Sequence, residues 1–303
     1  MKQSIFTRPL WVSIFALTAA IAWGWAYPLI KLGFAEFHIT PDMTGSKMLF
    51  AGVRFFFSGL ILLAIAGFTG RKFGVRGSRS WPYLLLFTLL NTTLHYAFFY
   101  IGLSHSDGAR AAILNSMSVF VLVFLACAVF PSDKLTLQKI IGCTLGFLGI
   151  LMLNLDAVNA LSFTLMGDGM IVLNALCSAF ASLMTRGVSK RVDILVGTGY
   201  SLSIGGLFIV VIGLIQGGTL HFISPLGVVY LLLLIVISSL GFALYNKLIC
   251  CNPIGKVAIY NSLIPIVGAL TSCIFLDEPF HVKYLIAGAL AALGIYMINM
   301  GKR

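Results

Sequence analysis

A chain of 303 residues with 59% hydrophobic and only 10% charged residues is not an ordinary soluble domain, in which about a quarter of residues carry charge. The formal net charge of +11 invites a nucleic-acid partner. That reading fails once the charges are placed along the chain, because they fall in short connections between long apolar runs, and no nucleic acid is expected.

The runs are long enough to cross a hydrocarbon core of about 30 Å, which takes about 20 helical residues. In chain order the predicted spans are 11–33, 47–69, 82–103, 109–130, 137–154, 168–187, 194–216, 226–247, 255–275 and 281–300. They are continuously apolar rather than alternating, which predicts helices and not barrel strands. The first run is too long for a signal peptide and no cleavage site follows it, so it is expected to be retained. The longest connections, about 34–46 and 70–81, are too short to fold alone. The expectation is an all-α membrane protein of ten transmembrane helices in a lipid bilayer, whose bundle itself carries the function.

Charge placement orients that bundle. With the N-terminus inside, Lys2, Arg8, Arg71, Lys72, Arg76, Arg79, Lys134, Lys139, Arg186, Lys190, Arg191, Lys247, Lys256, Lys302 and Arg303 face the cytoplasm. Only Lys31, Lys47, Arg110 and Lys283 face outward, and Arg54 sits within the second span. Fifteen against four predicts both termini in the cytoplasm and a multi-pass protein in one orientation.

The second half of the chain repeats the first about 145 residues on. Leu148-Gly149-Ile150-Leu151-Met152-Leu153-Asn154 returns as Leu293-Gly294-Ile295-Tyr296-Met297-Ile298-Asn299, five identities in seven. Ala112-Ile113-Leu114-Asn115-Ser116 returns as Ala258-Ile259-Tyr260-Asn261-Ser262. Two repeats follow, 11–154 and 168–300, each of five spans. An odd number inverts the second copy relative to the first. Inverted repeats recur in secondary transporters, with the substrate site near the midplane between the copies.

Polar residues inside the spans are the best map of a cavity, because each is costly against lipid. In span six Asn174, Ser178, Ser182 and Arg186 recur every four residues; the equivalent stripe of span one is Ala19, Trp23, Tyr27 and Lys31. Span three carries Asn91, His95 and Phe99 on one face with Tyr96 beside it, and span eight answers with Ser238-Ser239, Phe242 and Tyr245. The predicted cavity is lined by Trp23, Tyr27, Asn91, His95, Tyr96, Phe99, Asn174, Ser178, Ser182, Phe242 and Tyr245. The alternative for each hydroxyl or amide is a bond to its own backbone or a neighbouring helix. His95 can relay protons or act as a neutral donor. Asp107, Asp133, Asp168, Asp277 and Glu278 all fall at span ends, so no carboxylate is expected at mid-depth.

Asn115 and Asn261 occupy equivalent positions in spans four and nine, one in the outer third and one in the inner third, which suits a pair of gates. Interhelical amide bonds or helix caps are the alternative. Pro265 should kink span nine, where span four has Val119. Arg54 is read as structural, close enough to the outer face to snorkel. Gly142 and Gly146, with Ala287 and Ala291 as their copy, read as close helix packing, with dimerisation the alternative and a monomer expected. The six cysteines form neither a zinc pattern nor a disulfide framework, and no cofactor or metal is expected.

Trp23-Gly24 followed by Lys31, and Arg54 in span two, resemble the start of an EamA-type repeat. So do Phe130-Pro131-Ser132-Asp133-Lys134-Leu135 leading to Gly142, and Phe275-Leu276-Asp277-Glu278-Pro279-Phe280 leading to Gly288. Over essentially its whole length the chain is similar to two EamA repeats of the drug/metabolite transporter superfamily. The resemblance implies ten helices, cytoplasmic termini, a cavity lined by spans one, three, four, six, eight and nine, and export of small metabolites, amino acids among them. The expected substrate is a small molecule such as an amino acid or aromatic metabolite. A multidrug exporter for lipophilic cations would place an acidic residue in the cavity, and an intramembrane transferase would need converging carboxylates, a Cys/His pair or a metal cluster. The sequence offers neither, so no enzyme is expected.

Overall fold

The computed structural model describes residues 4–77, 79–105, 108–131, 133–153, 163–221, 224–276 and 280–300, without the side chains of 108–113 and 153. Asp107, Asp277 and Glu278, expected at span ends, lie outside the described residues. The described chain is helical, with no strand. Its helices are α1 (Pro9–Glu36), α2 (Thr44–Phe68), α3 (Ser80–Ser104), α4 (Gly108–Val129), α5 (Leu137–Leu153), α6 (Leu165–Arg191), α7 (Ile194–Ile215), α8 (Pro225–Cys251), α9 (Ile254–Phe275) and α10 (Lys283–Met300). Eight are long and apolar enough to cross a membrane; α4 and α5 contribute shorter apolar stretches, Leu114–Val129 and Leu137–Met152.

Local chemistry sets the ends. Pro9 and Pro225 open α1 and α8, where a missing N–H costs nothing. The Ser224 hydroxyl accepts from Leu226 N at 3.0 Å and the Asp193 carboxylate from Leu195 N at 2.9 Å, capping α8 and α7. Besides the π-turn that opens α6 over Leu165–Gly169, two helices depart from regular α geometry within their length. A π-turn spans Leu89–Thr93 in α3, and a 3₁₀ segment spans Ile259–Leu263 in α9, just before Pro265. The second is what proline dictates: it offers no N–H to Asn261 O and its ring crowds that carbonyl.

Glycine decides the closest helix pair. On α2, Gly45, Gly52 and Gly59 lie seven residues apart, facing Gly213, Gly206 and Gly199 of α7, also seven apart and running the other way. A methyl group at Gly52 would stand 2.6 Å from Val210 N and 2.9 Å from Gly206 O, so the two backbones touch. In a membrane such close packing replaces the hydrophobic effect as the force between helices. The GxxxG of α5 serves the same end internally: Gly142 and Gly294 meet each other's carbonyls, joining α5 to α10. The pairing pattern is reciprocal, since α1 packs on α8 and α9 while α6 packs on α3 and α4.

The outside is apolar, with Leu86, Leu207, Val211, Leu232, Val236 and Leu285 exposed; the inside holds Ser58, Asn91, Thr198, Ser201, Ser238 and Asn246, all buried. This inverts the water-soluble pattern and suits a lipid surround. A groove lined by Trp25, Leu29, Tyr230, Leu233, Ile237 and Phe275 lies on that apolar outside, with the Tyr230 phenol and the Trp25 indole N–H as its side-chain polar groups. Its apolar lining suits lipid and sets it apart from the polar interior.

Candidate functional site

Mid-depth in the bundle, α1, α2, α3 and α8 bring their aromatic side chains together. Trp23 packs edge-on against Phe242 at 5.3 Å and Tyr245 at 5.4 Å between ring centroids. Gly241 makes room for its indole, since any Cβ there would meet Trp23 Nε1 at 2.5 Å. Phe55 continues the wall from α2, 6.3 Å from Phe242 and 4.1 Å from Tyr96. The ring of His95 is edge-on to Tyr96 at 4.5 Å, and its Nδ1 lies 3.3 Å from Asn174 O on α6. Tyr27 rests against Gly268 of α9, and Phe99 against Tyr100. Trp23, Tyr27, His95, Tyr96 and Phe99 lie deep among helices yet each keeps some accessible surface, as residues bordering an internal space do.

Polar groups complete this face. Asn174 Nδ2 donates to Asn115 Oδ1 at 2.6 Å, tying α6 to α4. Asn174 Oδ1 is buried without a partner among the described residues. The Tyr245 hydroxyl has Ser182 of α6 and Asn261 of α9 as polar neighbours. Ser178 stands half-buried between them on the α6 stripe.

Asn91 departs from the expected face. Its Nδ2 donates to Ser201 Oγ at 3.0 Å, and Thr92 Oγ1 lies 3.1 Å from the same hydroxyl, so both are spent on the contact with α7. The π-turn explains the departure, because its extra residue rotates Asn91 away from the stripe that a regular helix would share with His95. The second correction concerns Arg54. Rather than snorkelling, its guanidinium turns inward: Nε donates to Ser238 Oγ, in the middle of α8, at 2.6 Å, and the group lies 5.1 Å from the Phe55 ring. Phe55 and Tyr100 escaped the sequence reading, though Phe55 follows Arg54, the charge deepest in span two.

One end of this interior is latched. Asp133, wholly buried in the α4–α5 connection, accepts from Ile254 N at 3.0 Å and Gly255 N at 3.4 Å at the start of α9. Arg186 at the foot of the α6 stripe and Lys139 of α5 each stand 3.5 Å from its carboxylate. Arg186 also donates to Ile249 O at 3.1 Å and lies over the Phe130 ring. The latch thus joins the first half of the chain to the second. Both described chain ends lie at this end, since Asn252 donates to Phe6 O and Ile298 packs on Gly142.

The model of the EamA-like transporter family matches residues 10–155 and again residues 165–300. The chain belongs to the EamA-like transporter family. The two matches reproduce the two repeats, and with the apolar helices they make it a multi-pass membrane protein. It is similar to the "Uncharacterized transporter YvbV" of Bacillus subtilis (strain 168), 27% identical across 99% of this chain and 94% of that one. It is also similar to the "Probable amino-acid metabolite efflux pump" of Escherichia coli (strain K12), 22% identical across 96% of this chain and 95% of that one. A solved structure titled "Crystal structure of protein" shares the fold, with a TM-score of 0.75 and 16% identity across 95% of this chain and 96% of that one. In this EamA-like chain the aromatic wall and the Asp133 latch draw on both repeats.

Proposed function

We propose that this EamA-like protein is a secondary transporter of ten spans in two inverted repeats, exporting small metabolites such as amino acids or aromatic metabolites across the inner membrane by alternating access. The observation that carries the reading is the aromatic face of Trp23, Phe55, Tyr96, Phe242 and Tyr245, drawn from both repeats and closed at one end by Asp133. Such a wall can hold an apolar or aromatic group by stacking, while the hydroxyls and amides of α6 supply hydrogen bonds. Antiparallel packing of α2 on its repeat mate α7 supports the inversion. A distant relative bearing an amino-acid efflux name supports the substrate class. Purified protein in proteoliposomes, offered an amino-acid and nucleobase panel with and without a pH gradient, should move at least one compound saturably. No saturable flux of any member would overturn the reading.

The charge split supports cytoplasmic termini, with the Asp133 end inside. A reporter fused to Arg303 that works only in the cytoplasm is therefore expected to be active. Activity instead from a periplasm-only reporter at that position would reverse the assignment.

The asparagine pair acts as two gates in this scheme. Asn115→Ala strands the Asn174 amide and Asn261→Ala removes a polar neighbour of the Tyr245 hydroxyl. Each loss costs about 1–3 kcal/mol, enough to shift inward and outward populations severalfold. The expected outcome is opposite changes in side-specific labelling, with Asn115→Ala disturbing outer release and Asn261→Ala inner loading. Identical changes in the two variants would reduce both residues to helix packing.

A further inference from the structure

Arg54 is a charge with unfinished coordination. It is 5% exposed, its Nε has one neutral acceptor in Ser238, and its terminal nitrogens have no acceptor among the described residues. Those nitrogens are nonetheless absent from the side-chain atoms sealed off without a partner, Thr88 Oγ1, Asn174 Oδ1 and Ser203 Oγ, so they border accessible space. The described carboxylates, Glu36, Asp42, Asp133, Asp168 and Asp193, all sit at helix ends or in connections. A guanidinium so little exposed, with no carboxylate beside it among the described residues, is costly, and such a group is kept in membrane helices where it meets a ligand or an ion path. Its surroundings are suited to one kind of ligand. Tyr96 and Tyr100 lie within electrostatic range, Phe55 lies beneath it, and Phe55 leads through Tyr96 and Phe242 to Trp23.

We infer that Arg54 is the receptor for the carboxylate of an organic anion whose apolar or aromatic body lies along Tyr96 and Trp23, the rings of this wall that keep accessible surface. The inference rests on the transporter reading and names the substrate class of that site. The planar fork suits a carboxylate because two parallel N–H donors meet its two oxygens, with Ser238 fixing the third donor, Nε, and so the plane of the group. A phosphate offers similar oxygens; the partly accessible rings of Tyr96 and Trp23 favour an arylalkyl carboxylate.

Binding to the purified full chain, read by quenching of tryptophan fluorescence and by calorimetry, tests this with phenylpyruvate, phenylethylamine and inorganic phosphate as probes. Phenylpyruvate should bind about tenfold or more tightly than either of the others. Arg54→Gln should weaken it by about ten- to a hundredfold, and Arg54→Lys, which keeps the charge and loses the fork, by less. Ser238→Ala keeps the charge and removes only the group that fixes its plane; it should weaken binding severalfold, and it gives an answer should Arg54→Gln not fold. Phosphate binding equal to phenylpyruvate would overturn the carboxylate assignment. Phenylpyruvate binding that is absent from the wild type, or unchanged in a folded Arg54→Gln, would overturn the site. Flux separates the two readings: a bound anion that is never transported sinks the transporter and leaves the site. A neutral or cationic compound transported equally by wild type and Arg54→Gln sinks the site and leaves the transporter.

Discussion

Asp133→Ala is expected to unlatch one end of the bundle and shift the protein strongly toward the state open there. The carboxylate holds two backbone N–H groups at the start of α9 and two cations, Arg186 and Lys139, while being wholly buried. Removing it strands two N–H donors and leaves two positive charges facing each other. Breaking a buried pair by deleting one partner costs about 3–5 kcal/mol, and every 1.4 kcal/mol is tenfold in population. A shift on the order of a hundredfold or more follows. Because the partners come from both repeats, the cost falls on the closed arrangement and spares each repeat's own packing. The check uses a chain with its six cysteines replaced by serine and a single Ser178→Cys, treated with a membrane-impermeant maleimide. Asp133→Ala should raise labelling from the latched side and lower it from the other. Asp133→Asn keeps an oxygen for the N–H groups and should lie between. Unchanged labelling in a folded Asp133→Ala would make the cluster a mere cap on α9.

The second large effect is on folding. Gly206→Leu should leave little correctly folded protein, and Gly52→Ala and Gly206→Ala should each cost about 1–3 kcal/mol, as overpacked sites do. A Cβ at Gly206 meets Phe56 N, and one at Gly52 meets Val210 N, backbone against backbone, where no side chain can swing aside. Only separation of α2 from α7 relieves the clash, and these two helices form the most extensive contact between the repeats. Gly74→Ala is the control, with nothing within 4 Å of the added carbon; a surface change of this kind is expected within about 0.5 kcal/mol. Thermal unfolding in detergent, followed by size-exclusion, reads both. Equal stability of Gly206→Ala and Gly74→Ala would refute the glycine contact as the join between the repeats.

The helices were legible because length and continuous apolarity are strong signals in a bilayer, and the observed ends fall within four residues of those expected. On the four-residue stripe of α6, Asn174 and Arg186 each bond a group on another helix or its end, which is the alternative to cavity lining that the sequence also allowed. What escaped depends on single turns and on distant partners. The π-turn at Leu89–Thr93 has no proline or glycine to announce it, and it turned Asn91 toward Ser201. Arg54 was placed by depth alone, whereas its direction is set by Ser238, 184 residues away. The glycines of α2 and α7 repeat at seven, a period that the search for GxxxG passes over.

Counterflow tests the central claim most directly. Proteoliposomes loaded with an unlabelled compound that the protein transports are diluted into a trace of the same compound carrying a radiolabel, with no ion gradient. A carrier with one cavity facing each side in turn must exchange inner for outer molecules, so the label should rise transiently above its equilibrium level inside and then fall. The overshoot should vanish when the inside is empty and collapse in Asp133→Ala, which cannot hold the latched state. A label that only equilibrates, at the same rate with loaded and empty vesicles, would describe an open pore and contradict alternating access.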